Sequence, residues 1–292
     1  MATTQVADVS AQVQEFWSPI FQDELLESTL LPALVNKDYQ GDIRQGGDTV
    51  KVSLIDRPTA ERKTIGAGAD TFNPAKMSTQ QVEIIADQRI TASFEFSDLV
   101  MLQSQIGDQD SNIRKVLMEA IDIELNNYLY GLVAPSASAP DHTVTGVTDF
   151  NASQVNNLRK LASQAKWRKD GWWLLADPSY MSDMLNDSTL SSIDFGAQDV
   201  PVIGGQMARQ RFGFNILEDN SAGLLTLSAS SEDAALAFHP DFMGLVMQKE
   251  PNFKVSDLHA NKQHGFVISV DMIVGAKLLN EGAVKHISVV DS

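Results

Sequence analysis

Four oxygen-bearing side chains, Asp108, Asp110, Asn112 and Glu119, stand at the spacing of four ligand positions in a helix-loop-helix calcium loop. Their chemistry would be the binding of a hard cation by carboxylate and amide oxygens. Such a loop also needs a glycine for its sharp turn, and that position holds Ile113. The segment therefore reads as the capped start of a helix. The five histidines, His142, His239, His259, His264 and His286, include no pair spaced for two ligands on one helical face. They read as scattered structural or surface residues. Gly66-Ala67-Gly68 and Gly204-Gly205 lack the strand-to-helix setting and the Lys-Ser/Thr partner of a phosphate loop, and no Gly-x-Ser-x-Gly occurs. Glu232-Asp233 reads as a solvated turn. The chain has no cysteine, which removes disulfides, thiolate nucleophiles and thiolate metal sites together. No catalytic, cofactor-binding or metal site is expected, and the chain is not read as an enzyme.

If no cluster of side chains carries the function, the elements themselves must. The 292 residues are 43% hydrophobic and 21% charged, enough to bury a substantial core. Lys and Arg total 22 against 38 Asp and Glu, a net charge of -16. A polyanion would be repelled at long range, so a dedicated nucleic-acid binder is not expected. The first residues show no basic region followed by an apolar run, and no stretch approaches the roughly 18 apolar residues of a membrane span. The expectation is a protein made in the cytoplasm, without a membrane partner.

Residues 1 to 48 carry one apolar cluster, from Phe16-Trp17 to Leu30-Leu31, followed by Pro32, Gly41 and Gly46-Gly47, which break longer elements. A short helix around Asp23 to Thr29 and an otherwise extended arm are expected. From Thr49 the period becomes two. Val50, Val52 and Leu54 form the first alternating run, Val82, Ile84 and Ala86 the second, and Ile90, Ala92, Phe94 and Phe96 the third. Between the first two, Arg57 to Ser78 far exceeds the roughly 2 to 5 residues of an economical hairpin loop. A two-stranded ribbon of this kind is not stable alone and must lie on other protein.

The ribbon tip and the arm differ in charge. Residues 57 to 76 hold Arg57, Arg62, Lys63 and Lys76 against Glu61 and Asp70, a net +2. Residues 1 to 48 hold eight acids, among them Asp23, Glu24 and Glu27, against Lys37 and Arg44, a net -6. Opposite signs on two thin segments suggest pairing, within one subunit or between two. On the arm, Trp17, Ile20 and Phe21 need cover as well.

Spacings of three and four over Ile113, Val116, Leu117, Ala120, Ile121, Leu125, Tyr128, Leu129 and Leu132 predict a long helix. It starts near Asp110 or Ser111, stops by Pro135, and runs about 33 Å at about 1.5 Å per residue. After a Ser, Ala, Pro and Thr-rich connection the pattern alternates: a helix from Ser153 to Lys166, a strand at Trp172 to Ala176, and a short helix opened by Asp177-Pro178. Strands near Phe214 to Leu217, Ala234 to Phe238 and Leu245 to Gln248 follow. The end, with Phe266 to Val270, Met272 to Val274 and Val284 to Val290, reads as strand.

This order of elements resembles the major capsid proteins of tailed phages, whose fold is named after phage Hong Kong 97. The stretches that carry the likeness are Leu31-Pro32-Ala33-Leu34-Val35, Gly47-Asp48-Thr49-Val50-Lys51-Val52, Asp177-Pro178-Ser179-Tyr180, Phe212-Gly213-Phe214-Asn215-Ile216 and Ala237-Phe238-His239-Pro240. The resemblance implies an α+β coat fold with an N-terminal arm at 1 to 48 and an extended β-hairpin loop at 49 to 96. A peripheral domain with a spine helix would comprise 97 to 148 and 246 to 292, and an α/β axial domain 149 to 245. It implies self-assembly as hexamers and pentamers into an icosahedral head around double-stranded DNA, assembled in the host cytoplasm. Separate scaffolding protein, a portal and possible decoration protein are the implied partners. Loop residues Arg57, Arg62, Lys63 and Lys76, and arm residues Trp17, Phe21, Asp23, Glu24 and Glu27, are the expected inter-subunit contacts. Lys51, Lys63 and Lys76 are candidates for the Lys-Asn crosslinks of some relatives, although no residue pattern supports crosslinking. An encapsulin-like compartment shell is the alternative within the fold, and a soluble α/β enzyme the alternative outside it.

Overall fold

Two strands, β1 (Thr49–Ile55) and β2 (Thr79–Ile85), pair antiparallel into the expected ribbon, with Val50 opposite Ile84 and Val52 opposite Val82. The computed structural model describes residues 29–39, 49–55, 58–62, 64–66, 74–98, 110–133, 142–145, 149–169, 171–191, 210–221, 234–261, 264–279 and 284–290. Ahead of the ribbon lies one helical turn, α1 (Leu31–Leu34), with Pro32 in its first turn. The expectation at Pro32 was only a break. Proline's fixed φ and missing N–H suit the first turn of a helix, where no donor is needed. The helix expected around Asp23 falls on residues outside those described, save Thr29, which is not helical.

The third alternating run does not stay with the ribbon. As β3 (Gln88–Ser97) it joins β10 (Gly265–Leu278) and β9 (Met243–Asp257) in a long antiparallel sheet ordered β3-β10-β9. The two runs expected at 266 to 270 and 272 to 274 are thus one strand. Near Asp271 the register against β9 shifts twice, beside Pro251, which has no N–H to give to a ladder. At this irregularity Asp271, with a side chain only 6% exposed, accepts from Arg89 Nη2 of β3 at 2.7 Å and from Lys249 Nζ of β9. One carboxylate thereby ties all three strands together. The hydrogen bond from Lys249 holds its carboxyl below the usual carboxylate range, helped by Arg89 and opposed by burial.

Across this sheet lies the long helix, α2 (Asp110–Val133), 24 residues and about 36 Å at about 1.5 Å per residue. Leu117, Ile121, Leu125, Leu129 and Val133 recur every four residues and are buried in one cluster with Ile268, Val270, Met272 and Val274 of β10. Each such side chain contributes roughly 1.5 to 3 kcal/mol by leaving water. Asn112, Ile113 and Glu119 are turns of this helix, so the sequence spacing that matched a calcium loop does not fold as one.

The remaining strands form a six-stranded mixed sheet ordered β4-β11-β8-β5-β7-β6. They are β4 (His142–Thr145), β5 (Trp172–Ala176), β6 (Gln210–Arg211), β7 (Phe214–Glu218), β8 (Ala235–Phe238) and β11 (Val284–Val290). β4 and β11, expected with the peripheral segments, pair with each other in parallel, and β11 continues onto β8. Phe212 and Gly213, at φ 50° and 89°, form the two-residue turn between β6 and β7, a geometry that favours glycine at the second position. Helix α3 (Ala152–Gln164) is capped by Asn151, and α4 (Pro178–Asn186) by Asp177 as expected, with Asp187 then opening α5 (Ser188–Ser191). Asp187 also accepts from Ala152 N at 2.8 Å, and that bond draws its carboxyl down. Phe150 stacks on Tyr180 at 4.6 Å.

Helix α2 ends against this second sheet. Tyr130 is fully buried, and its hydroxyl donates to Asp219, which follows β7 and is itself buried. Burial pushes the Tyr130 hydroxyl well above its ordinary pKa, and the Asp219 charge pushes it further.

The ribbon's attachment is a close backbone approach. A methyl at Gly275 of β10 would collide with the Ile85 carbonyl oxygen and lie 2.8 Å from Ala86 Cα. We expect Gly275→Ala to destabilise the fold by about 1 to 3 kcal/mol through overpacking. Gly131→Ala, on an exposed helix position with open space around it, should stabilise by up to about 1 kcal/mol. Urea unfolding of both variants checks the opposite signs. The Asp271 tie predicts a pH dependence. Because its folded pKa lies below the unfolded value of about 3.9, its contribution is complete above about pH 4 and is lost as pH falls through the folded value. Asp271→Asn should therefore be less stable than wild type at pH 7, with the gap narrowing below about pH 4; a constant gap in urea midpoints would refute the assignment.

Candidate assembly surface

The alternation in β1 and β2 gives the ribbon two unlike faces. Val50, Val52 and Ile84 face inward and are buried with Val246, against which Tyr39, Ile273 and Leu279 also pack. The opposite face presents Lys51 and Glu83, cross-strand partners joined at 3.0 Å, between Ile55 and Ile85, which are 68% and 46% exposed. That ion pair is open to water and contributes at most about 1 kcal/mol, so it helps fix register more than stability. Further out, Ile65 is 97% and Met77 75% exposed. A single exposed aliphatic side chain is ordinary, but four on one two-stranded element and its connection leave apolar surface in water.

The long sheet offers a second open surface. Among the described residues β3 lies at one edge of this sheet. Between it and α2 runs a groove of about 450 Å³, lined by Arg89, Ile90, Ala92, Ile121, Glu124 and Tyr128 among others. Phe94 and Val255, both exposed, flank buried Ile268 in one row across the sheet. Beyond Lys115, the charged residues of α2 are all acidic: Glu119, Asp122 and Glu124. Asp122 has its carboxyl raised, first by burial and then by the Glu119 charge one turn away. Glu119 and Asp122, one turn apart, share one side of the helix, and Glu124 turns toward the groove.

Of the residues singled out in the sequence, Arg62 and Lys76 lie exposed on the two limbs of the ribbon connection, and among the described residues neither has a carboxylate partner. Arg57 and Lys63, and the arm residues Trp17, Phe21, Asp23, Glu24 and Glu27, lie outside the described residues. Sequence reasoning passed over Ile55, Ile65 and Met77. Ile65, apolar within a polar loop, was the available signal. Among the described residues no three His, Asp or Glu side chains are grouped to hold a metal ion, and no helix is long and apolar enough to cross a membrane.

No family model and no curated protein matches the sequence. Solved structures are similar. A chain of the Mycobacterium phage Che8 structure superposes with a TM-score of 0.75 at 18% identity, covering 95% of this chain and 97% of that one. The Cyanophage Pam1 capsid asymmetric unit gives 0.72 at 14% identity, covering 98% of each. The capsid structure of Cyanophage P-SCSP1u gives 0.70 at 12%, covering 97% of this chain and 95% of that one. At such identities the likeness is one of architecture, and it extends over nearly the whole of both molecules: this chain has the phage capsid-protein fold.

Proposed function

We propose that this chain is the major coat subunit of a tailed-phage head, a structural protein that assembles as hexamers and pentamers into an icosahedral shell around double-stranded DNA. The observation that carries the proposal is the capsid fold, matched over 95% or more of both chains in each of the three comparisons. Fold alone does not fix function, so the exposed ribbon supplies the physical support. Ile55, Ile65, Met77 and Ile85 are incompletely covered in the single subunit, as expected of an element that a neighbour completes.

The domain reading follows the elements. Residues 1 to 48 form the arm, and β1, β2 and their connection the extended loop. The peripheral domain comprises α2 with β3, β9 and β10. The axial domain is the six-stranded sheet with α3 to α5, and it takes in β4 and β11 from the flanking segments. The basic ribbon tip, with Arg57, Arg62, Lys63 and Lys76, docks on an acidic surface of a neighbour, for which the Glu119 and Asp122 side of α2 is suited by charge. The arm contributes Trp17, Phe21, Asp23, Glu24 and Glu27 to contacts of the same kind. Scaffolding protein, portal and any decoration protein are separate chains, and the acidic wall does not bind its DNA by sequence. The assembled state is the virion head, built in the host cytoplasm.

Electron microscopy and size-exclusion chromatography test this directly. With its assembly partners the wild-type chain should form megadalton shells. The triple reversal Arg57→Glu, Arg62→Glu, Lys63→Glu should leave a folded subunit, with unchanged circular dichroism, that no longer closes shells. Shells that fill with protein instead of DNA would favour a compartment shell, and a wild-type chain that stays a small oligomer would overturn the coat assignment. Normal assembly of the triple variant would remove the docking charge from the proposal.

A further inference from the structure

The structure brings together two histidines that the sequence separates. His259 follows β9 and His264 precedes β10, at the tip of the hairpin these strands form, and their ring centroids are 6.1 Å apart. Both side chains are exposed. The tip is held at both ends. His259 N donates to Asp257 Oδ1 at 2.9 Å, which fixes the turn leaving β9. Asp98 N donates to the His264 carbonyl at 3.3 Å, which ties the start of β10 to the end of β3.

We propose that His259 and His264 form a two-imidazole site for a divalent transition-metal ion. An imidazole nitrogen binds such an ion at about 2.1 Å, and the ring centre lies about 1.1 Å behind that nitrogen, so two rings can share one ion when their centroids are within about 6.4 Å. The observed separation lies within that limit, and both exposed side chains can turn about their own bonds to bring a nitrogen from each ring together. Neutral imidazole suits zinc, nickel and copper, whereas calcium and magnesium prefer oxygen donors. With two protein donors the remaining coordination positions belong to water, so this is a surface site of moderate affinity. It differs in kind from a closed structural site, in which four protein ligands surround the metal. The spacing of five residues does not suit a helical pair, and the site exists because a hairpin reversal returns the chain on itself.

The proposal is independent of the coat assignment and is tested on subunits without a histidine tag. Titration with nickel chloride, followed by calorimetry, should show one ion bound per chain. His259→Gln and His264→Gln should each weaken binding at least tenfold, and the double variant should bind more weakly than either single one. Because both positions are exposed, thermal melting without metal should be unchanged in the variants, while added nickel should raise the melting temperature of wild type alone. Paramagnetic broadening by nickel should fall on two imidazole signals of the five histidines. Absence of binding, binding that survives both substitutions, or broadening centred on other histidines would overturn the site.

Discussion

A two-stranded ribbon has no interior of its own, and the rest of this molecule is arranged around that constraint. One face at the ribbon root is covered by Val246, Ile273 and Leu279, and the backbone of Ile85 and Ala86 presses directly onto Gly275. A second glycine, Gly244, leaves room for Ile84 on the neighbouring strand. The seat is therefore made as much by missing side chains on β9 and β10 as by apolar ones. Rigidity at the root matters because a ribbon is a lever. On the coat-subunit reading, in which the tip meets a neighbour, such a lever requires a base that does not give.

The long sheet transmits that requirement. It is irregular at Asp271, where β9 bulges beside Pro251, and such a bend would be a soft point without a compensating tie. The carboxylate of Asp271 meets cations from both neighbouring strands at this place. Their solvent exposure keeps the energetic contribution modest, while the geometry fixes how the three strands lie. Helix α2 then spans the sheet and ends in the buried hydrogen bond from Tyr130 to Asp219. A buried polar pair of this type is costly to separate, because each group would lose its partner without regaining water. One helix thus couples the sheet that seats the ribbon to the sheet beyond.

Much of this was legible in the residues, for identifiable reasons. The period-two runs located β1, β2 and β3, the four-residue recurrence from Leu117 to Val133 located α2, and Asp177-Pro178 marked the start of α4. These signals are local, since one face of an element is buried and the sequence alternates accordingly. Pairing was less legible. Nothing in Ile90 to Phe96 shows that β3 leaves the ribbon for β10, or that β11 crosses to β8, because alternation states that a face is covered and not by what. The candidate assembly surface was half legible. Charge drew attention to Arg62 and Lys76, but the exposed Ile55 and Ile85 look in sequence like any other strand residues. The histidine pair was missed because its proximity is created by a hairpin reversal, which helical spacing rules do not detect.

Charge and apolar surface have different tasks on the coat-subunit reading. Copies with a net charge of -16 repel one another, and at physiological salt that repulsion is screened beyond about 8 Å. It therefore opposes only the last step of approach, where a local patch of opposite sign can reverse it. The cationic limbs of the ribbon carry such a patch outward on the thinnest element of the molecule, and the acidic turns of α2 provide its complement. Electrostatics of this reach selects orientation and partner more than it sets affinity. Affinity must then come from covering Ile55, Ile65, Met77 and Ile85, at roughly 25 cal/mol for each Å² removed from water. On this reading these side chains are spread along a narrow ribbon instead of gathered into one patch, and that spreading makes each contact weak. Many weak and oriented contacts allow misplaced subunits to leave, which a closed shell requires if it is to form without error.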